Sequence, residues 1–286
     1  MYASRTPLAS ERATAVISRT LRGPLEALPW TLRVGACLCF VGHGAFGIMA
    51  KQAWLPYFAV AHIGPTTAYS LMPVIGAIDI TMGCFVLLSP RPAVVYWMTL
   101  WAVWTALLRP LAGEPGWEAF ERAGNYGVPL AMILLAAPWR GVGGVFAPIT
   151  LRPLTDRLLR QLEIVLVAVV VLLLVGHGAL GLEGKPGLVA NYASIFPDDV
   201  AAQMTPIVGG SEIALALVLA RWPSVPLALF VALWKLAIES LFLAAGAPFW
   251  EIVERGGSYA APVALAIVLL IAARRRAVGE EPGVGP

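Results

Sequence analysis

The chain is poor in charged residues and in cysteine, and each shortage excludes a class of protein. Charged residues make up 13% of its 286 residues, against about 25% in a typical soluble domain. The net charge is +3, and the basic residues form no cluster suited to nucleic acid, so no nucleic-acid partner is expected. Cys37, Cys39 and Cys84 form no C-x-x-C pattern, and we interpret them as small core residues and expect no metal site. The first thirty residues lack an uncharged apolar run, which argues against a cleavable signal peptide.

Apolar residues are what the chain has in abundance. They make up 59% of it, and the mean hydropathy is +0.78. This composition predicts an all-α, polytopic membrane protein surrounded by a lipid bilayer, because about 20 apolar residues in a helix cross roughly 30 Å of hydrocarbon. Eight transmembrane helices are predicted, at 34–50, 69–88, 93–111, 117–138, 162–181, 204–221, 225–245 and 256–273.

Basic residues are distributed unevenly around these predicted spans. Of the 20 Lys and Arg residues, fourteen precede the first span, follow the eighth or lie in alternate loops. Cytoplasmic loops carry an excess of Lys and Arg, so both termini are predicted to be cytoplasmic (N-in, C-in). An even number of spans agrees with that topology. We expect a multi-pass protein of the bacterial inner (plasma) membrane.

Two stretches of the chain occur twice, about 133 residues apart. The repeated stretches are 41–51 with 175–185, and 117–129 with 250–262. The first pair shares H-G-x-x-G-x-x-x-K, and the second shares W-E-x-x-E-R-x-G-x-Y-x-x-P. The two copies of an internal duplication can be aligned with each other, and the residues that both copies share are the candidates for function.

The duplication predicts two membrane units of four helices each, at 33–139 (the first copy) and 162–275 (the second copy). Because four is an even number, both units insert in the same direction, as parallel repeats. The other segments are a cytoplasmic or interfacial N-terminal segment at 1–32 with an amphipathic helix from residue 9, a cytoplasmic amphipathic linker at 140–161, and a disordered tail at 276–286.

Each copy places a histidine and a carboxylate within predicted spans. His43 and His177 belong to the repeated H-G-x-x-G motif, and Asp79 and Glu212 to a second shared pattern, P-x-x-G-x-x-acid. An ionisable residue at mid-span costs about 2.5 to 3.5 kcal/mol on insertion scales, so its presence in both copies indicates a use. We expect His43 to meet Asp79 and His177 to meet Glu212. Such pairs can hold or pass a proton, or they can simply hold two helices together.

The W-E-x-x-E-R motif predicts a polar vestibule above these pairs, on the extracytoplasmic side. Lys51 and Lys185 are expected to meet Glu121 and Glu254 there, although the same motif also suits a solvated helix start. The candidate substrate-binding residues are Lys51, Glu118, Glu121, Arg122, Tyr126, Lys185, Glu251, Glu254, Arg255 and Tyr259.

One predicted contact breaks the symmetry between the copies. Lys235 and Glu239 are spaced i, i+4 in the seventh span, and their counterparts in the first copy are Ala102 and Ala106. An additional buried ion pair is therefore expected in the second copy only.

Each half resembles the DoxX-like family of small bacterial membrane proteins. The resemblance rests on four helices per unit, G-x-x-x-K at the outer end of the first helix, and G-x-x-acid in the second. The W-E-x-x-E-R element departs from that pattern. The resemblance implies a four-helix membrane bundle, linked in some members to quinone-coupled oxidation of sulfur compounds and in others to redox stress or to maturation of secreted enzymes.

These residues leave four functions open and do not decide whether the chain is an enzyme. The first is a quinone-linked redox subunit or quinone-binding protein, with Trp101, Trp104 or Trp234 flanking the ring. No flavin, nucleotide or iron–sulfur motif is evident, so electrons would come from a redox partner protein. The second is a proton-coupled transporter. The third is a b-type haem protein ligated by His43 and His177, ranked below quinone because carboxylates compete for these imidazoles. The fourth is a scaffold.

Overall fold

The computed structural model describes residues 9–279, with side chains from 23 to 277. Over this range the chain is helical, with one isolated bridge between Ala136 and Leu151. The helices are α1 Ala9–Ile48, α2 Leu55–Val60, α3 Pro65–Leu88, α4 Pro92–Leu111, α5 Trp117–Glu121, α6 Ala123–Leu135, α7 Gly141–Val145, α8 Asp156–Leu182, α9 Pro186–Ala193, α10 Asp198–Arg221, α11 Val225–Ala244, α12 Trp250–Glu254 and α13 Gly256–Gly279, with a 3₁₀ turn at Gln52–Trp54.

Within residues 9–279, seven helices are long and apolar enough to cross a membrane. They lie at Gly23–Ile48, Pro65–Leu88, Pro92–Leu111, Asp156–Leu182, Asp198–Arg221, Val225–Ala244 and Gly256–Ala277. The all-α class and the multi-pass membrane character are confirmed.

The prediction of one continuous span over 117–138 was wrong. The chain breaks at Arg122, which has φ −92° and ψ 12°, so that α5 has five residues and α6 thirteen. Helix α6 ends at Leu135 because a residue that precedes a proline, here Ala137 before Pro138, disfavours helical geometry. At about 1.5 Å per residue, α6 alone is shorter than the hydrocarbon core.

The first helix differs from the predicted interfacial segment at 9–32. Helix α1 runs without interruption from Ala9 to Ile48, and its apolar part begins at Gly23. Leu28 and Leu32 are fully buried in the core of the bundle, so the second half of the segment packs as part of the first span. The side chains before residue 23 lie outside the described residues.

The linker at 140–161 is only partly the amphipathic helix that was predicted. The segment between α6 and α8 contains the short helix α7, and its two ends pair at the Ala136–Leu151 bridge, next to which the Arg152 N–H donates to the Leu135 carbonyl. Helix α8 then starts at Asp156, where the Thr155 hydroxyl accepts from the Leu158 N–H at 3.2 Å. Leu158 and Leu162 are consequently buried in the core. Of the predicted tail, 276–279 belong to α13 and 280–286 lie outside the described residues.

The long helices form an inner and an outer group. More than half of the span residues of α1, α8 and α13 are buried, whereas only about a third or fewer are buried in α3, α4, α10 and α11. Large apolar side chains such as Leu88, Leu100 and Leu233 are exposed on the outer helices, as expected for a lipid-facing surface. Cys84 is also exposed there, so its assignment as a core residue was wrong, whereas Cys39 is buried.

Glycines bring the first two long helices of each copy into close contact. A Cβ atom added to Gly44 in α1 would lie 2.6 Å from the Gly76 carbonyl oxygen of α3, and one added to Gly178 in α8 would lie 2.6 Å from that of Gly209 in α10. No other residue fits at such a backbone separation. The close approach brings polar side chains of both helices within hydrogen-bonding distance.

Candidate functional site

In the first copy, α1 and α3 bring His43 and Asp79 together. The distance from His43 Nδ1 to Asp79 Oδ2 is 2.7 Å, so the predicted contact is confirmed. The Asp79 side chain is 1% exposed, whereas that of His43 is 21% exposed. With Nδ1 engaged by the carboxylate, Nε2 is the nitrogen that His43 has left for another partner.

In the second copy, the predicted pair of His177 and Glu212 is also present. His177 Nδ1 bonds to Glu212 Oε2, and the other carboxylate oxygen accepts from Trp234 Nε1 at 3.0 Å. The His177 side chain is only 3% exposed, and its Nε2 has no hydrogen-bond partner. The two histidines therefore differ in access although both bind a carboxylate.

A cavity of about 190 Å³ lies beside His43 and is lined mainly by aromatic and aliphatic side chains. The His43 ring stacks on Trp54, with centroids 4.5 Å apart and planes inclined by 25°. Trp101 and Trp104 contribute from α4. The polar lining residues are Tyr57, Thr105, Arg109, Arg122, Asn125 and Glu254. This combination of aromatic walls and a few polar groups is typical of small-molecule sites.

Two polar atoms near this cavity have no hydrogen-bond partner. They are the indole Nε1 of Trp101, which lines the cavity, and Oδ1 of the buried Asp79. Their counterparts in the second copy, Trp234 and Glu212, bond directly to each other. Asp79 is one methylene shorter than Glu212, which accounts for the open donor and acceptor in the first copy.

The second copy contains the additional buried ion pair, which is confirmed. Lys235 Nζ lies 3.0 Å from Glu239 Oε1 and 3.8 Å from Glu212 Oε1, and the Lys235 side chain is fully buried. Arg255 Nε also forms an ion pair with Glu239, at 2.5 Å from Oε2. Burial without ion pairing would be very costly for these charges.

The two W-E-x-x-E-R motifs meet where α6 and α13 touch. A Cβ atom added to Gly124 would lie 2.5 Å from the Gly257 carbonyl carbon, so the backbones are in contact. The adjacent arginines close ion pairs within their own motifs: Arg122 lies 2.7 Å from Glu121 and Arg255 lies 2.6 Å from Glu251. The predicted polar vestibule thus corresponds to a central group of charged side chains.

The lysines of the first motif pair across the copies, and not with the residues predicted. Lys51 of the first copy lies 2.7 Å from Glu251 of the second, and Lys185 of the second pairs with Glu118 of the first. The prediction that Glu121 and Glu254 would be their partners was wrong. The reason is that α5 and α12 each pack against the opposite copy, which a repeat pattern alone does not disclose.

Glu254 and Glu121 instead lie beside the histidine pairs of the opposite copy. Gly42 of α1 lets the Glu254 backbone come close, and Gly176 of α8 does the same for Glu121. Glu254 lines the same cavity as His43.

Tyr126 and Tyr259 are not among the residues that line the cavity. The Tyr126 hydroxyl donates to the Ala119 carbonyl at 3.2 Å, and the Tyr259 hydroxyl is buried without a hydrogen-bond partner. Tyr126 therefore ties α6 to α5. Both residues were predicted to bind substrate, but they lie within the helix bundle and do not line the aromatic cavity.

Sequence reasoning missed a polar group at the edge of the cavity. Tyr57 donates a hydrogen bond to Glu114, and Arg109 Nη1 lies 2.8 Å from the Tyr57 hydroxyl and 3.2 Å from Glu114 Oε2. Burial would raise the pKa of Glu114, but the Tyr57 hydrogen bond and the Arg109 charge outweigh it and lower that pKa.

These three residues share one property that concealed them. Their counterparts in the second copy are Asn191, Phe242 and Ala247, so they are absent from any pattern common to both copies. A search for polar or aromatic residues that occur in one copy alone would have found them.

Comparisons of the chain with protein-family models, with curated proteins and with solved structures found no match. The site is therefore interpreted from its own geometry and chemistry.

Proposed function

We propose that the protein is an eight-span inner-membrane protein made of two parallel four-helix units, with α5 and α6 together forming the fourth span. The distribution of Arg and Lys supports cytoplasmic termini and an extracytoplasmic position for the W-E-x-x-E-R motifs. The same break at Arg122 and Arg255 in the two copies supports equivalent roles for these segments. The resemblance to the DoxX-like family agrees with this architecture.

The function best supported by the geometry is binding of a quinone or quinol ring as part of a redox system. The observation that carries this proposal is the aromatic cavity beside the His43–Asp79 pair. Its volume of about 190 Å³ is below the roughly 300 to 1,000 Å³ typical of drug-sized ligands, so it suits a single ring and not a porphyrin. Trp54, Trp101 and Trp104 supply flat apolar surfaces for such a ring.

The residues present fit the polar atoms of a quinone ring. Trp101 lines the cavity and has a buried indole N–H without a protein partner, which a ring oxygen could satisfy, and His43 Nε2 can give or take a proton there. Asp79, hydrogen-bonded to Nδ1, holds the imidazole ring in place and stabilises its protonated form. A bound quinone supplies the ability to accept two electrons with two protons.

A proton-coupled transporter is the second candidate, and the ion pairs between the copies favour it. Lys51 with Glu251 and Lys185 with Glu118 connect the two halves at one end, where relative movement of the units would break and remake them.

The decisive experiment is purification of the full chain from native membranes, followed by solvent extraction and identification of bound quinone. We expect quinone to copurify, and a short-tailed benzoquinol to quench tryptophan fluorescence with an affinity that His43→Gln and Asp79→Asn lower at least tenfold. Absence of both quinone and quenching would refute the proposal. Substrate-dependent proton uptake into liposomes, without a redox partner, would establish the transporter instead.

A further inference from the structure

The two copies differ most where the first copy has its cavity. Ala102 lines the cavity and Ala106 is buried one turn along α4. The corresponding positions in α11 hold Lys235 and Glu239 (102 to 235 and 106 to 239 are both 133 apart). Two methyl groups in one copy thus correspond to two long charged side chains in the other.

Lys235 and Glu239 use the volume and the hydrogen-bonding groups that a ligand would use. The Lys235 ammonium lies 3.0 Å from Glu239 and 3.8 Å from Glu212, the acid of the histidine pair. Trp234 donates its indole N–H to Glu212, whereas Trp101 has that donor free. The indole N–H and the carboxylate oxygen that lack partners in the first copy are therefore bonded to each other in the second.

Other substitutions act in the same direction. Trp54, which stacks on His43, corresponds to Leu188, and Arg109 at the cavity edge corresponds to Phe242. His177 is 3% exposed where His43 is 21% exposed.

We infer that the second copy is a closed form of the same site, in which Lys235 and Glu239 take the place of the ligand. The chain then binds one ring-sized ligand, at the first copy. The His177–Glu212 pair has a structural role, and the identity of the residues at 102 and 106, or at 235 and 239, decides which copy is open. This inference rests on the proposed function, because it concerns the same class of ligand.

The reciprocal exchange of these residues is a balanced test. Lys235→Ala together with Glu239→Ala removes one positive and one negative charge and gives the second copy the alanines of the first. The remaining groups keep partners, since Arg255 still pairs with Glu251 at 2.6 Å and Glu212 still bonds to His177 and Trp234. Ala102→Lys with Ala106→Glu is the converse change in the first copy.

Equilibrium titration of the full chain in detergent with a tritiated short-tailed benzoquinol measures the number of sites. We expect one per chain for the wild type and two for K235A/E239A. We expect A102K/A106E to weaken binding at least tenfold, with the protein still monodisperse. Two sites in the wild type, or one in a monodisperse K235A/E239A protein, would overturn the inference.

If K235A/E239A does not fold, A102K/A106E decides alone. Wild-type affinity in that variant overturns the inference, and loss of binding supports it. Failure of the proposed function has a different result, namely a wild type that binds no benzoquinol at all.

Discussion

The ammonium of Lys51 lies 2.7 Å from a carboxylate oxygen of Glu251, although 200 residues separate them in the chain. Their contact joins the segment that follows α1 in the first copy to α12 of the second, and Lys185 with Glu118 makes the reciprocal connection. The polar end of the bundle is therefore held together by side chains exchanged between the copies.

Removing this connection should measurably loosen the contact between the copies. In a double-mutant cycle with Lys51→Ala and Glu251→Ala, we expect a coupling energy of up to about 1 kcal/mol, because the pair is partly buried. Thermal unfolding in detergent provides the measurement. The exposed pair of Arg275 and Asp156, at 3.1 Å, is the control and should show almost no coupling. Equal coupling in both cycles would contradict this assignment.

The two histidines should respond differently to removal. His177→Ala leaves the carboxylate of Glu212 buried with one hydrogen bond fewer, and we expect a loss of about 1 to 3 kcal/mol in unfolding free energy. His43→Ala should cost less stability, because His43 is partly exposed to the cavity, but should lower benzoquinol affinity at least tenfold. Melting curves and fluorescence titrations of the same preparations separate the effects. A larger stability loss for His43→Ala would argue against a cavity-facing role.

Trp101 and its counterpart Trp234 should also differ in their effects on stability and on binding. Trp101→Phe removes an indole N–H without a protein partner, so stability should hardly change while benzoquinol affinity falls up to about tenfold. Trp234→Phe removes a hydrogen bond to Glu212, at a cost of about 0.6 to 1.7 kcal/mol in unfolding free energy. Paired stability and titration measurements test both statements. If Trp234→Phe weakened binding as much as Trp101→Phe, the two copies would be equally open.

Close packing of α1 on α3 should be necessary for the first histidine pair. A side chain at Gly44 would collide with the Gly76 carbonyl, so Gly44→Val should cost about 1 to 3 kcal/mol or more and abolish benzoquinol binding by separating His43 from Asp79. Gly64→Ala is the control, because no atom lies within 4 Å of an added Cβ there. Gel filtration measures whether each variant is folded and monodisperse, and titration measures its benzoquinol affinity. Normal binding by Gly44→Val would show that the helices can separate without loss of the site.

The Tyr57–Glu114 contact should make the stability of the protein depend on pH. Because the pKa of Glu114 is lowered in the folded protein, its contribution to stability is present above the ordinary carboxyl value of about 4.5 and is lost as the pH falls through the folded value. Glu114→Gln should therefore flatten the fall in melting temperature on the acid side. Melting curves from pH 3 to pH 7 test this, and an unchanged acid slope would count against the contact.

The contacts predicted best from the sequence were those repeated in both copies. His43 with Asp79 and His177 with Glu212 could be found because a buried ionisable residue is costly and its repetition is informative. Lys235 with Glu239 could be found from spacing along one helix. In each case the partners belong to one copy, where the order of the helices already limits the geometry.

Contacts between the copies could not be predicted in the same way. A repeat pattern states what each copy contains but not how the copies face each other, so the exchange of Lys51 and Lys185 between α12 and α5 was missed. The break at Arg122 was missed because apolar content, which identifies spans, is insensitive to one residue's backbone angles. Tyr57 and Arg109 occur in one copy alone and are far apart in the chain, so neither agreement between the copies nor spacing along one helix identifies them.

Glu254 reaching the cavity of His43, and Glu121 lying against the helix of His177, make the two halves interdependent. A half-length polypeptide would lack its neighbour's acid and would need a second molecule to supply it. Fusion into one chain removes the requirement that both subunits be identical. One half is then free to change its interior while the other keeps the cavity beside its histidine.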